Sequence, residues 1–104
     1  MSITLALIVL VVAFCVLQVV DGLTTWAILE DGGRELNPLV AWSIEHMGRL
    51  PGIVLAKACA IAAALLIAWS AIGNGASASV VMIVLLLLDA LYAVIVYRNI
   101  ELLR

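Results

Sequence analysis

The chain has 104 residues, of which 67% are hydrophobic, with a mean hydropathy of +1.32 and a formal net charge of −2. A soluble domain is about 45–50% apolar, so this composition excludes a water-soluble fold and predicts an all-α integral membrane protein. The acidic balance excludes the basic footprint that nucleic-acid binding needs. No stretch between the apolar runs is long enough to bury a core of its own, so residues 1–104 are expected to form one transmembrane helical domain without a substrate-binding head.

Three apolar runs, about 3–29, 52–73 and 78–100, can each cross a bilayer, which takes about 20 residues of helix. The first has no Lys or Arg at its start and no Ala-x-Ala pattern, and its apolar core is too long for a signal peptide. It is expected to stay attached. At about 1.5 Å per residue it is about 40 Å long, against a hydrocarbon core of about 30 Å, so it must tilt, bend or protrude. Asp21-Gly22 is the expected bend, because glycine weakens helix and Asp21 can compete for backbone donors. Gly32 and Gly33 predict where this helix ends.

Asn37-Pro38 reads as a fresh start, with Asn37 as N-cap and Pro38 as the first helical residue. A short cytoplasmic interfacial helix over about 38–47 follows. Leu36, Leu39, Val40, Ile44 and Met47 share one side of it, His46 is expected to be exposed, and Trp42 should sit at headgroup level. Gly48 closes this helix and Pro51 opens the second run. That run carries alanine at 56, 58, 60, 62, 63, 64 and 68; small residues let backbones approach closely in lipid, which predicts that it is the central packing helix. Gly73-Asn74-Gly75 predicts a tight turn, and Ser77 or Ser79 a cap for the third run. The two last runs should form an antiparallel hairpin.

With three spans, Arg34, Arg49, Arg98 and Arg104 fall on one side of the membrane and no Lys or Arg on the other. Positive residues favour the cytoplasm, which predicts an outside N-terminus and a cytoplasmic C-terminus.

Asp21, Lys57 and Asp89 lie inside the runs, where an ionisable group is costly and is by default a functional-site hypothesis. Counted back from edges near residues 30, 51 and 100, they lie about 13, 9 and 16 Å deep, so the three are expected to meet. One Asp–Lys pair then leaves a second aspartate protonated, or holding a proton or cation. Gln18, Asp21 and Thr25 share one stripe of the first helix with Thr24 at its margin, and Asp89, Tyr92 and Asn99 share one of the last. The expected ion- or solute-binding set is Asp21, Thr25, Lys57, Asp89 and Tyr92, with Gln18, Thr24 and Asn99 in support. Thr24 and Thr25 are expected to bond back to helix carbonyls. Cys15 and Cys59 read as small hydrophobes, and one histidine makes no metal site. No cofactor is expected.

The strings Asp21-Gly22-Leu23-Thr24-Thr25 and Gly33-Arg34-Glu35-Leu36-Asn37-Pro38, followed by Lys57, Tyr92 and Asn99, resemble a prokaryotic membrane family catalogued as a domain of unknown function, number 5658. The resemblance covers nearly the whole chain. It implies a compact three- or four-helix protein of the prokaryotic inner (cytoplasmic) membrane and carries no activity with it. Asp21, Thr24, Thr25, Glu35, Asn37, Pro38 and Lys57 correspond to its motif positions. Glu35 and Asn37 read either as cap and loop residues or as residues that fold back to the mouth of the polar cluster.

Three functions stay open. One is a homo-oligomer whose Asp21, Lys57 and Asp89 bind a proton, cation or small solute. Another is a non-catalytic accessory subunit of a larger membrane complex, with the Asp21–Lys57 pair fixing helix register. The third is a holin-like permeabilising protein, suggested by size and topology, although only Arg98, Glu101 and Arg104 supply tail charge. An enzyme is not expected: the runs hold no Ser–His pair and no His-Glu-x-x-His helix, and Lys57 would keep an Asp21–Asp89 dyad ionised.

Overall fold

The computed structural model describes residues 2–33, 38–73 and 77–104. Helix α1 spans Ile3–Glu30, α2 Pro38–Met47, α3 Arg49–Ile72 and α4 Ala78–Leu103. The helices α1, α3 and α4 are long and apolar enough to cross a membrane. Arg34, Glu35, Leu36, Asn37, Asn74 and Gly75, on which several expectations fell, lie outside the described residues.

Each boundary has a local cause. The Ser2 hydroxyl accepts the Leu5 N–H at 3.1 Å and starts α1. Its end is a Schellman closure, in which the Gly33 N–H donates to the Ile28 carbonyl at 2.9 Å and the Gly32 N–H to that of Leu29 at 3.2 Å. Gly32 takes the φ of +86° that this closure requires. Between these ends the helix runs through Asp21-Gly22 without a break. The Asp21 side chain is engaged by Lys57 and Asn99 of other helices rather than by the backbone donors of α1.

Pro38 opens α2, and Gly48, with φ +93°, is the one residue between α2 and α3. The second long helix therefore begins at Arg49 rather than 52, with Pro51 inside its first turn, where a missing N–H does no harm. Ser77 caps α4 by accepting the Val80 N–H at 3.4 Å.

The central helix is α1, not the alanine-rich α3: α1 packs along both α3 and α4, which touch each other only sparsely. Leu7, Val11, Phe14, Gln18, Asp21 and Thr25, spaced three or four apart, form its buried stripe. Only Ala64 and Ala68 of the alanines are buried, while Ala58, Ala62 and Ala63 face outward. Leu7, Val11 and Phe14 meet Ala64, Ala68, Val81 and Leu85 in an apolar core, so the polar half of the stripe lies at the opposite end. Two contacts seven residues apart on both helices, Phe14 with Tyr92 and Asp21 with Asn99, show that α1 and α4 run parallel.

The buried side of α2 is Val40 and Ser43, turned toward α3, whereas Leu39, Trp42 and Met47 are exposed. His46 is exposed as expected, with its ring stacked on Trp42 at 4.5 Å. The two helices approach closely at Gly52. A Cβ there would lie 2.6 Å from the Ile44 Cα and 2.7 Å from the backbone of Ser43.

Candidate functional site

Asp21, in the C-terminal half of α1, is buried and forms an ion pair through Oδ2 with the Lys57 ammonium of α3. Side-chain exposure is 6% for Asp21 and 12% for Lys57, so the pair is largely removed from solvent. On the other oxygen, the Asn99 amide of α4 donates to Asp21 Oδ1 at 2.8 Å and also to Thr24 Oγ1 at 3.0 Å. The Thr25 hydroxyl donates to Oδ1 at 3.4 Å. Both carboxylate oxygens are therefore matched, and one residue on α1 ties all three long helices together.

The two threonines do different work. Thr24 bonds back to the Val20 carbonyl at 2.9 Å, as expected, leaving its oxygen free to accept from Asn99. Thr25 instead turns its hydroxyl onto the Asp21 carboxylate, a charge-assisted acceptor that outcompetes a helix carbonyl already bonded in the helix. The Lys57 ammonium lies 5.4 Å from the Tyr92 ring centroid, within cation–π range. Tyr92 is held edge-on by Phe14 at 5.4 Å and 84°.

Asp89 does not join this network. Both of its carboxylate oxygens are buried and have no hydrogen-bond partner among the described residues. Asn99, not Asp89, stands level with Asp21, and Asp89 is ten residues away, about 15 Å along the helix. The equal-depth expectation fails because the helix ends are not level: nine residues follow Asp21 in α1, but only four follow Asn99 in α4. The overhanging end of α1 packs instead beside the start of α3, where the Arg49 guanidinium sits 5.4 Å over the Trp26 ring.

Gln18 is fully buried at 0% exposure, and neither its amide oxygen nor its nitrogen has a partner among the described residues. It lies at the edge of a groove of about 510 Å³ between α1 and α3, which Lys57 also lines. Unmatched amide atoms are costly to bury. Gln18→Leu, which keeps the volume and removes the polar atoms, is expected to raise the unfolding free energy by about 1–3 kcal/mol, read from denaturant titration in detergent. Pro38 serves as the first residue of α2. Glu35 and Asn37 lie outside the described residues.

Gly52 and the Arg49–Trp26 contact were not singled out from the sequence. A glycine one position inside a helix after proline is a signal of close backbone approach. An arginine and a tryptophan at facing helix ends are likewise the composition of a membrane-interface belt.

No curated protein and no solved structure matches the chain. Residues 3–104 match the model of a family described as a domain of unknown function (DUF5658), and the chain belongs to that family.

Proposed function

We propose that this is a small polytopic protein of a prokaryotic inner membrane, N-terminus outside and C-terminus cytoplasmic, that acts without catalysis by binding a proton or small cation at Asp89 in a homo-oligomer. One observation carries the reading: the Asp89 carboxylate oxygens are buried and unmatched, while those of Asp21 are matched in full. A buried carboxylate with no hydrogen-bond donor among the described residues is too costly to persist as a bare charge. Its charge is balanced by a proton, by a cation or by a donor from a neighbouring copy. The Asp21–Lys57–Asn99 network is then the frame that holds the helices in register.

Self-association follows from the shape. Three helices leave much apolar surface outward, including Val12, Val16, Val19, Leu87 and Leu91, and α4 and α3 cover little of each other. Asp89→Asn is expected to keep the copy number seen by native mass spectrometry and to lose proton or sodium uptake in proteoliposomes. Uptake equal to that of the wild type would contradict the reading.

The closed Asp21–Lys57–Asn99 network favours one second reading, an accessory subunit in which polar groups only lock the fold. A stoichiometric larger partner retained in mild detergent would support it over the first.

A further inference from the structure

Polar side chains are unevenly placed along the seam between α1 and α4. Asp21 meets Asn99 and Phe14 meets Tyr92 in one register, so levels along the seam follow from the helical rise of about 1.5 Å per residue. Gln18 is about 4.5 Å along the helix from Asp21 and about 6 Å from Phe14, whose ring meets Tyr92. Asp89 lies one turn beyond Tyr92, level with Val11. Counted from the C-terminal ends of both helices, the seam carries Asp21 with Asn99, then Gln18, then Tyr92, then Asp89, a polar group at every turn.

Beyond Asp89 the seam is apolar. Leu7, Val11, Val81 and Leu85 fill it with Ala64 and Ala68 of α3 packed against them, and Leu7, Ala64 and Leu85 are at most 1% exposed. Polar side chains at that end do not enter: Thr4 and Ser79 are exposed, and the Ser70 hydroxyl donates to the Ile67 carbonyl of its own helix. On the polar side, Gln18 and Asp89 both bury atoms with no partner among the described residues. Register alone is served by the closed Asp21–Lys57–Asn99 set, and an apolar residue at 18, as at 7, 11 and 14, would be buried without that cost.

We propose, building on the reading of Asp89 as an ion-binding group, that it exchanges a proton, and not a metal cation, with only one face of the membrane, the face at the C-terminal ends of α1 and α4, by way of Gln18 and Tyr92. A metal cation needs a shell of oxygens, whereas residues 5–17 of α1, 60–68 of α3 and 82–88 of α4 carry no oxygen-bearing side chain. A proton needs one lone pair at each step. Each step along the seam is the span of one bridging water, held by the Gln18 amide and the Tyr92 hydroxyl. The proton comes from water at that face, ends on an Asp89 oxygen as a neutral carboxyl and returns by the same steps. Other titratable groups on the buried side are Cys15 and Asp21 of α1 and Lys57 of α3; Asp21 and Lys57 neutralise each other, while Cys59 and Tyr97 are exposed. Closed on one face, Asp89 reads the pH of the other without passing protons across.

Sidedness is measured on single chains. Dicyclohexylcarbodiimide is lipid-soluble and adds to a carboxyl in its protonated form, and the label missing from Asp89→Asn belongs to Asp89. A titration in detergent, with both faces in one buffer, first gives the pH range over which that label appears. Vesicles of the full chain are then labelled with the lumen at one end of the range and the medium at the other. Carboxypeptidase B removes Arg104 only where that end faces the medium, so the intact mass of each chain reports its orientation together with its label. Chains without Arg104 should follow the pH of the medium, and chains with it that of the lumen. Label that follows the opposite face, or both faces equally, would overturn the proposal and leave Asp89 a proton site. Protection from the label by sodium would overturn the choice of ion. A detergent titration without pH dependence would overturn the Asp89 reading itself and the one-sided exchange with it. Stopped-flow proton uptake in detergent after an acid step, taken as the difference from Asp89→Asn, tests the route. Gln18→Leu, although the more stable protein, should slow it about tenfold, the effect of one lost hydrogen bond. A wild-type rate in that variant would overturn the route through Gln18.

Discussion

Replacing Lys57 with methionine is expected to be the most damaging single change at the polar cluster, lowering stability by about 3–5 kcal/mol. That is the usual cost of leaving a buried charge without its partner. Asp21 has a short stem, sits at 6% side-chain exposure, and is fixed on the buried stripe of α1. It cannot reach water without dismantling the helix contacts. Lysine differs: its long stem can carry the ammonium toward the membrane edge, so Asp21→Asn should cost less than Lys57→Met. Asparagine at 21 also keeps an acceptor for the Asn99 amide, which now bonds at 2.8 Å. The double variant Asp21→Asn with Lys57→Met removes both charges together and is expected to recover most of the loss, since a buried pair replaced as a pair is often near neutral. Denaturant titration in detergent micelles, run as a double-mutant cycle, measures all three. A Lys57→Met protein as stable as the wild type would mean that the ion pair does not hold the bundle.

Gly52→Ala should detach α2 from α3. The added Cβ would sit 2.6 Å from the Ile44 Cα and 2.7 Å from the Ile44 N and the Ser43 carbonyl carbon. These are backbone atoms, so no rotamer change relieves them, and α2 must move as a body about its single-residue link at Gly48. Overpacking of this kind costs about 1–3 kcal/mol. A good control is Gly22→Ala, whose Cβ would find Ile53 Cγ2 at 3.5 Å and Lys57 Cγ at 3.6 Å, ordinary contacts. It should be close to neutral, or stabilising by up to about 1 kcal/mol through helix propensity. Limited proteolysis at the α2–α3 junction separates the two, with rapid cleavage expected only for Gly52→Ala.

Much of this architecture is legible in the residues themselves. Long apolar runs and the punctuation at Gly32-Gly33, Pro38, Gly48 and Ser77 place all four helices, because helix ends are local events decided by caps and glycines. The stripe Gln18, Asp21, Thr25 is also local, a consequence of helical periodicity, and all three are buried. Depth was harder. Each helix counted from its own edge puts Asp21 and Asp89 at similar levels, but register is set by how Phe14 meets Tyr92 and Asp21 meets Asn99 across helices. Composition also misplaced the centre of the bundle. Alanine permits close approach on every face of α3, yet what selects the face is the pattern of the partner, and α1 has the one continuous buried stripe. The contact of Gly52 with α2 depends on two helices folding back at Gly48 and has no periodic signature.

The charge state of Asp89 is the point on which the functional account turns, and infrared difference spectroscopy of the reconstituted protein reads it directly. The protein is perfused alternately with buffers of different pH and sodium content, and the Asp89 carboxyl band is assigned by its loss in Asp89→Asn. A band that changes with the proton or cation supplied, while the Asp21 band stays constant, is the predicted result. An Asp89 band insensitive to both, with the response confined to Asp21, would contradict the assignment and return the site to the Asp21–Lys57 pair.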